Sequence, residues 1–189
     1  MENAGTKNPY SKFSGRKLYT LGNEASDAEN YEEAKKFYLL AAEKGNADAM
    51  YALGKSFPSG PELTEEDFIA REWLVKAAEK GNVQAMSTYA TFLGVGCSFR
   101  YNPWESTKWY LRAAKKGHVN SMYYIGYNYL FGVGARPNEE KGLEWLKKAA
   151  AQGCRKAIKE LAIYYMECTD DAEQTEYWVQ KAKKEKIEL

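Results

Sequence analysis

Residues 41–45 read AAEKG, and related segments follow as AAEKG at 77–81, AAKKG at 113–117 and AAAQG at 149–153. The closing glycines of these four segments are spaced 36 residues apart. A period between about 20 and 50 residues is typical of repeat arrays, in which each unit buries its apolar face against its neighbours. The sequence therefore predicts an array of similar units that share one core.

Aromatic residues mark the second helix of each predicted unit. The series is Phe37, Trp73, Trp109, Trp145 and Trp178, with a spacing of 36 residues that shortens to 33 at the last step. A smaller residue stands three positions before each ring, namely Ala34, Ala70, Ser106, Gly142 and Thr175. Residues at i and i+3 share a helix face, so we expect every ring to lie in the core beside a closely approaching helix. Helix N-caps are predicted at Thr64, Asn102 and Asn138.

The first helix of each unit is predicted from a stripe of large, large, small and large residues. Its copies are Met50, Leu53, Gly54 and Phe57; Met86, Tyr89, Ala90 and Leu93; Met122, Ile125, Gly126 and Tyr129; and Ile158, Leu161, Ala162 and Tyr165. Glycine-rich turns are expected between the two helices, at 58–61, 94–96 and 132–137. In the first unit, the stripe is Leu18, Leu21, Gly22 and Ala25. The small position predicts close contact between helices.

These patterns together predict an all-α fold, a right-handed α-solenoid of about five stacked helix-turn-helix repeats. We expect one solenoid domain over 13–189, preceded by an N-terminal tail at 1–12. The predicted units are about 13–45, 46–81, 82–117, 118–153 and 154–189.

Charge and composition narrow the class of partner. Lys plus Arg number 27 and Asp plus Glu number 26, giving a net charge of +1. Because no excess of positive charge is present, we expect neither nucleic acid nor membrane as a partner. Charged residues interrupt the N-terminal segment where a secretory signal needs an apolar run, which predicts a cytoplasmic protein.

Reactive side chains are few. Cys97, Cys154 and Cys168 lack C-x-x-C spacing and are expected to be reduced thiols. His118 is the single histidine, and it stands in the position that Asn46 and Asn82 occupy after the glycine turn, so a turn role is favoured over catalysis. No nucleophile, base and orienting group can be assembled from the sequence. We therefore expect no enzyme, no cofactor and no metal site.

The chain resembles the Sel-one-like repeat family, which is related to the tetratricopeptide repeats. The motifs that carry the resemblance are AMYALGKSF at 49–57, EWLVKAAEKG at 72–81, KWYLRAAKKG at 108–117, SMYYIGYNYLFGVG at 121–134 and KGLEWLKKAAAQG at 141–153. It covers about residues 13–187. The resemblance implies an adaptor that holds another protein or a peptide on the inner face of the solenoid. A cysteine-rich branch is linked to β-lactam binding and hydrolysis, but its paired cysteines are missing here.

The groove face of each first helix is predicted from the helical repeat, as the side turned away from the core stripe. The expected partner-binding residues are Arg16, Tyr19, Asn23, Asp48, Tyr51, Lys55, Gln84, Ser87, Thr91, Asn120, Tyr123, Tyr127, Lys156 and Lys159. Tyrosine and arginine are enriched where proteins bind proteins. The alternatives are an ordinary solvated helix face, an inhibitor or immunity-type protein, a β-lactam-binding or hydrolase relative, and an RNA-binding helical repeat. A monomer or a weak homodimer is expected.

Overall fold

The computed structural model describes residues 9–55, 65–96 and 99–189, apart from the side chain of Glu66. Within these ranges the chain forms ten helices and no strand. The helices are α1 (Gly15–Asp27), α2 (Tyr31–Glu43), α3 (Ala47–Gly54), α4 (Glu65–Glu79), α5 (Val83–Val95), α6 (Pro103–Lys115), α7 (Val119–Phe131), α8 (Glu139–Ala151), α9 (Arg155–Glu167) and α10 (Ala172–Lys184). The all-α prediction is confirmed, and the helices follow one another as two to each predicted repeat.

Tight glycine turns join successive repeats. Gly45, Gly81, Gly117 and Gly153 have φ angles of 82°, 96°, 90° and 79°, in the left-handed region that favours glycine. Each lies two residues after the last residue of a second helix, as in a helix C-terminal cap. The recurrence of glycine at this point is therefore a requirement of the backbone.

The chain divides into two compact parts, each larger than one repeat, with the boundary between Ala85 and Met86 inside α5. From here on, these two parts are called the first and the second unit. In the first unit, Leu18 and Leu74 are fully buried. A Cβ atom at Gly22 would lie 2.5 Å from the ring of Tyr38, and one at Gly54 would lie 2.7 Å from the backbone nitrogen of Leu74. These distances confirm that the small position of the stripe is a point of close helix contact.

The second unit is built in the same way around Ile125, Leu146, Ile158 and Leu161, all fully buried. A Cβ atom at Gly126 would lie 2.8 Å from Cγ of Leu146. The single-domain boundaries expected from the sequence stay a prediction.

Hydroxyl groups at the small position before the ring bind backbone oxygens of the preceding helix. Ser106 Oγ donates a hydrogen bond of 2.6 Å to the carbonyl oxygen of Ala90. Thr175 Oγ1 donates one of 2.8 Å to the carbonyl oxygen of Tyr165. Ser106 and Thr175, the two hydroxyl residues among the small residues before the rings, therefore have hydrogen-bond partners between the packed helices.

The prediction that all five aromatic rings are core residues is wrong for two of them. Phe37, Trp109 and Trp178 are buried, but Trp73 and Trp145 are only partly buried. In those two repeats the next residue, Leu74 or Leu146, is fully buried instead. The tryptophan rings lie at the edge of the core, where Lys76 Nζ and Lys148 Nζ stand 4.7 and 4.8 Å from the ring centroids.

Helix caps follow the predicted positions. Asn102 and Asn138 accept hydrogen bonds from the backbone nitrogens of Glu105 and Lys141, and cap α6 and α8. His118 caps α7, which confirms its role in the turn. Several predictions lie outside the described residues, namely Phe57, the turn at 58–61, Thr64, Cys97 and the tail over 1–8.

The described part of the tail contacts α2. The ring centroid of Tyr10 lies 5.0 Å from that of Phe37, and Lys44 Nζ donates to the carbonyl oxygen of Ser11 at 2.7 Å. Cys154 and Cys168 are free thiols. No helix within the described ranges is both long and apolar enough to span a membrane.

Candidate functional site

Five aromatic rings form a continuous series in the second unit, which we call the aromatic ladder. Its members are Tyr110 on α6 and Tyr124, Tyr123, Tyr127 and Phe131 on α7. Successive ring centroids are separated by 4.8, 5.1, 6.2 and 4.6 Å. Centroid separations of this size are those of interacting aromatic pairs. The rings therefore support one another as a single surface.

Helical geometry puts four of these rings on one side of α7. Positions 123, 127 and 131 are four residues apart, and position 124 is three before 127, so the four residues share a broad face of the helix. The opposite stripe, with Met122, Ile125 and Gly126, is buried. The buried stripe fixes the rotation of α7. The aromatic face therefore lies on the side opposite to the helices that cover the stripe.

Tyr110 is the buried end of the ladder. Its side chain is 5% exposed, and its hydroxyl lies 2.9 Å from the hydroxyl of Thr91. Burial raises the pKa of Tyr110 to about 12, so the phenol is neutral at physiological pH. The ring stacks on Tyr124 at an interplanar angle of 21° and orients it.

Exposure increases along the ladder away from Tyr110. Tyr123, Tyr124 and Tyr127 are half-buried, and Phe131 is 49% exposed. Burial, together with the negative charge of Glu160, raises the pKa of Tyr123 to about 12. Its hydroxyl is therefore available as a hydrogen-bond donor over the whole physiological range.

Two charged residues of α9 border the ladder. Lys156 Nζ lies 5.6 Å from the ring centroid of Tyr124 and 6.0 Å from that of Tyr123. Glu160 follows one helical turn later and is half-buried. Burial raises the pKa of the Glu160 carboxyl. Its carboxylate makes no hydrogen bond or ion pair with any residue in the described part of the chain.

The predicted groove residues of the first unit are of mixed exposure. Arg16, Asp48, Lys55 and Gln84 are exposed, and Tyr19, Asn23 and Tyr51 are half-buried. Hydrogen bonds to neighbours within the unit hold Asn23 and Asp48. Asn23 Oδ1 accepts from the hydroxyl of Tyr38 at 2.9 Å, and Asp48 Oδ1 accepts from Asn82 Nδ2 at 2.7 Å.

The remaining predicted residues lie in the second unit. Asn120, Lys156 and Lys159 are exposed, whereas Ser87 is buried at 8% exposure. The expectation that Ser87 offers an exposed contact is therefore wrong, because a serine side chain is too short to emerge between its neighbours. Thr91 is half-buried and bonded to Tyr110. That the residues of both units form one groove stays a prediction.

Four residues of this surface were not predicted from the sequence: Tyr110, Tyr124, Phe131 and Glu160. Tyr124 and Glu160 directly follow the predicted positions 123 and 159 and are themselves 36 residues apart. A broader helix face would have included both. Tyr110 carried no such signal, because its position in the neighbouring repeats holds the buried Leu74 and Leu146.

The chemistry available on this surface is that of contact and hydrogen bonding. The ladder presents ring faces and neutral phenols, with one cation and one carboxylate beside them. Among the residues that the structure describes, no group of three His, Cys, Asp or Glu side chains could hold a metal ion.

Several solved structures are similar to this chain. A Sel1 repeat protein from Oxalobacter formigenes is 26% identical with a TM-score of 0.73, and the match covers 90% of this chain and 73% of that one. A protective antigen of uropathogenic Escherichia coli strains, described as displaying an SLR fold, is 22% identical with a TM-score of 0.50, over 90% of this chain and 46% of the antigen. An immunity protein from Pseudomonas aeruginosa is 21% identical with a TM-score of 0.51, over 89% and 64%.

These likenesses confirm the α-solenoid class of fold. This chain spans less than two thirds of the length of the antigen and of the immunity protein. No curated protein matches the sequence. A family model described as Sel1 repeat matches residues 16–46, 47–82, 85–118 and 119–154, which together make up most of the chain. The chain therefore belongs to the Sel1 repeat family.

Proposed function

We propose that this protein is a non-catalytic adaptor or regulator that binds another protein, or a peptide segment of one, on the groove face of its first helices. Sel1 repeat proteins generally mediate protein–protein interaction, and their fold is generally a scaffold without catalytic activity. The proposal includes binding to a specific partner, a cytoplasmic location and a monomeric or weakly dimeric state.

The observation that carries the proposal is the aromatic ladder. A helix face that only meets solvent is expected to carry charged and small polar residues. The corresponding face of α7 instead carries four aromatic rings, three of them tyrosines. Tyrosine gives a large contact area with a polar tip at low entropic cost, which is why it is enriched at interface hot spots.

Contacts within the protein also hold the inner rings of the ladder in place. Tyr110 is buried and bonded to Thr91, and it stacks on Tyr124, which contacts Tyr123. Rings that are already held in place lose little conformational freedom on binding, so more of the contact energy appears as affinity. This arrangement supports binding on the face that contains Asn120, Tyr123 and Tyr127.

The immunity protein from Pseudomonas aeruginosa resembles this chain only at the level of fold, since the identity is 21%. No feature of the ladder favours an immunity or inhibitor role over a general adaptor role. RNA binding is disfavoured by the net charge of +1.

The proposal is tested by affinity capture from the lysate of the native host, with identification of bound proteins by mass spectrometry. The test variant carries Tyr123→Ala and Tyr127→Ala. The control variant carries Tyr177→Ala, which removes a tyrosine that is 53% exposed on α10 and not part of the ladder. Circular dichroism verifies that both variants are folded.

We expect at least one protein to be captured by the wild type and the control but lost by the ladder variant. Such a loss is the signature of an interface centred on hot-spot tyrosines. If every captured protein is retained by the ladder variant, the proposed face is not the binding site.

A further inference from the structure

The charge beside the aromatic ladder indicates which chemistry a partner brings, and this inference rests on the proposed function. We propose that the aromatic ladder and Glu160 bind an arginine side chain of the partner protein or peptide. The guanidinium group would lie over the tyrosine rings of α7 and donate hydrogen bonds to the Glu160 carboxylate.

Glu160 is the first reason. Its carboxylate is half-buried, and within the described ranges it has neither a hydrogen-bond donor nor a cation as partner. Withdrawing a carboxylate from water without a partner costs free energy that a bound cation would return. The Glu160 carboxylate is therefore the group on this surface that gains most from a partner. The partner that suits it is a positively charged hydrogen-bond donor.

The tyrosine rings are the second reason. Lys156 Nζ already lies within about 6 Å of two ring centroids, at 5.6 Å from Tyr124 and 6.0 Å from Tyr123. The ring faces at this end of the ladder are thus accessible to a cation. Lys156 is itself exposed, so its side chain can withdraw into solvent when another cation arrives.

The geometry favours arginine over lysine as the incoming residue. Guanidinium is planar, stacks on aromatic faces and presents several donors at once to a carboxylate. It is also more weakly hydrated than ammonium, so it enters a half-buried site at lower cost.

An acidic partner is the competing class, because Lys156 and Lys159 are exposed on α9 beside the ladder. Both ammonium groups are solvated, so pairing with an exposed carboxylate yields little free energy. An acidic residue placed here would also stand near the negative charge of Glu160. Because Glu160 is half-buried and the two lysines are exposed, the site favours a basic partner over an acidic one.

The experiment uses a random linear-peptide library displayed on phage, selected in parallel on the full-length wild type and on the Tyr123→Ala, Tyr127→Ala variant. Peptides enriched only on the wild type depend on the ladder. We expect these to share an arginine at a fixed position. The affinity of one such peptide is then measured by fluorescence anisotropy, together with its arginine-to-lysine and arginine-to-alanine forms.

Variants of the protein separate the two classes of partner. Glu160→Gln should weaken binding of the arginine peptide about tenfold, because it removes a charge-assisted hydrogen bond. Lys156→Ala should strengthen binding about two- to fivefold, since it removes a competing cation near the surface. Glu167→Gln is the matched control, because Glu167 is an exposed glutamate of the same helix, and it should leave the affinity unchanged.

Other outcomes of these measurements would contradict the arginine inference. Ladder-dependent peptides rich in Asp or Glu, whose binding is lost in Lys156→Ala, would overturn the arginine inference and leave the proposed function intact. An affinity that Glu160→Gln does not change would overturn it as well. If no peptide depends on the ladder, the arginine inference fails, and the affinity capture then decides separately whether the proposed function fails with it.

Discussion

Among single residues, the position after three of the four turn glycines caps the next helix with its side chain, whereas Cys154, after Gly153, makes no such hydrogen bond. Asn46 Oδ1 accepts the backbone N–H of Ala49 at 2.8 Å, and Asn82 Oδ1 accepts that of Ala85 at 2.7 Å. His118 Nδ1 accepts that of Ser121 at 3.3 Å. Only an unprotonated ring nitrogen can accept this bond. The cap of α7 is therefore the one of these three that depends on pH.

The His118→Asn substitution should remove a pH dependence of stability. Burial lowers the pKa of His118 below its ordinary value of about 6.5, so the unfolded chain takes up a proton before the folded chain does. The stabilising effect of the neutral ring is complete above that ordinary value and is lost as the pH falls towards the lowered one. Urea unfolding of both proteins at about pH 7.5 and about pH 5 gives the comparison.

We expect the wild type to lose more stability than His118→Asn across this interval. Because the chain has one histidine, the carboxylates contribute equally to both proteins and cancel in the difference. Equal losses in the two proteins would show that the cap does not sense pH.

The Trp109→Ala substitution should destabilise the fold by about 3 to 5 kcal/mol. Trp109 is 6% exposed, contacts the ring of Tyr89 at 5.4 Å and lies under the guanidinium of Arg112 at 4.4 Å. Trp104→Ala is the matched control, because Trp104 is in the same helix but 57% exposed. It should change stability by less than about 0.5 kcal/mol. A Trp109→Ala protein that melts like the wild type would refute the core assignment.

At the scale of helices, the small position of the stripe sets how closely the two helices of a repeat approach. Gly54 and Gly126 leave no space for a Cβ atom, whereas the same position holds a fully buried alanine at Ala90 and Ala162. The repeats therefore differ in whether the contact at this position has space for a Cβ atom. A repeat motif that accepts either residue conceals this difference.

The Gly126→Ala substitution should destabilise the protein, although alanine is the better helix former. In a free helix the change would gain up to about 1 kcal/mol. Here the new Cβ would lie 2.8 Å from Cγ of Leu146 and 3.0 Å from the carbonyl oxygen of Gly142, so α7 and α8 must separate. Overpacking of this kind costs about 1 to 3 kcal/mol. Denaturant unfolding of Gly126→Ala beside the exposed control Asn120→Ala measures the effect, and a more stable Gly126→Ala protein would show that the helices can separate freely.

The sequence predicted the helices, turns and caps well because each depends on local chemistry that recurs with the period. It was less able to predict which of two adjacent large residues enters the core. Trp145 and Leu146 are both apolar, and a rotation of about 100° separates them on the helix. Only the packing of α7 on α8 decides that Leu146 is buried and Trp145 is at the edge.

The candidate site was predictable in part for the same reason. Tyr123 and Tyr127 follow from the rotation of α7, which its core stripe fixes. Tyr110 belongs to the site because it stacks on Tyr124 of the next helix, at 4.8 Å between centroids. That contact joins two repeats, so the pattern of either repeat alone could not reveal it.

At the scale of the whole molecule, the contacts are largely those between neighbouring helices along the chain. Within each compact unit, the helix pairs with extensive contacts are neighbours in sequence, such as α1 with α2 in the first unit and α7 with α8 in the second. In such an array the stability of a region is set by its own repeats and their interfaces. A change in one unit is therefore expected to act first on that unit.

Hydrogen exchange measured by mass spectrometry tests this expectation with two core substitutions. Leu18→Ala removes a fully buried side chain of the first unit, and Trp109→Ala removes a buried one of the second. We expect Leu18→Ala to lower amide protection mainly in α1 and α2, and Trp109→Ala to lower it mainly in α6 and in α5, which carries its contact Tyr89. Opening of local regions needs less free energy than opening of the whole chain. The Trp104→Ala protein serves as the reference. Equal loss of protection in all helices for both variants would instead mean that the repeats unfold as one cooperative unit. The free energy of the interfaces between neighbouring repeats would then have to exceed the destabilisation that either substitution causes.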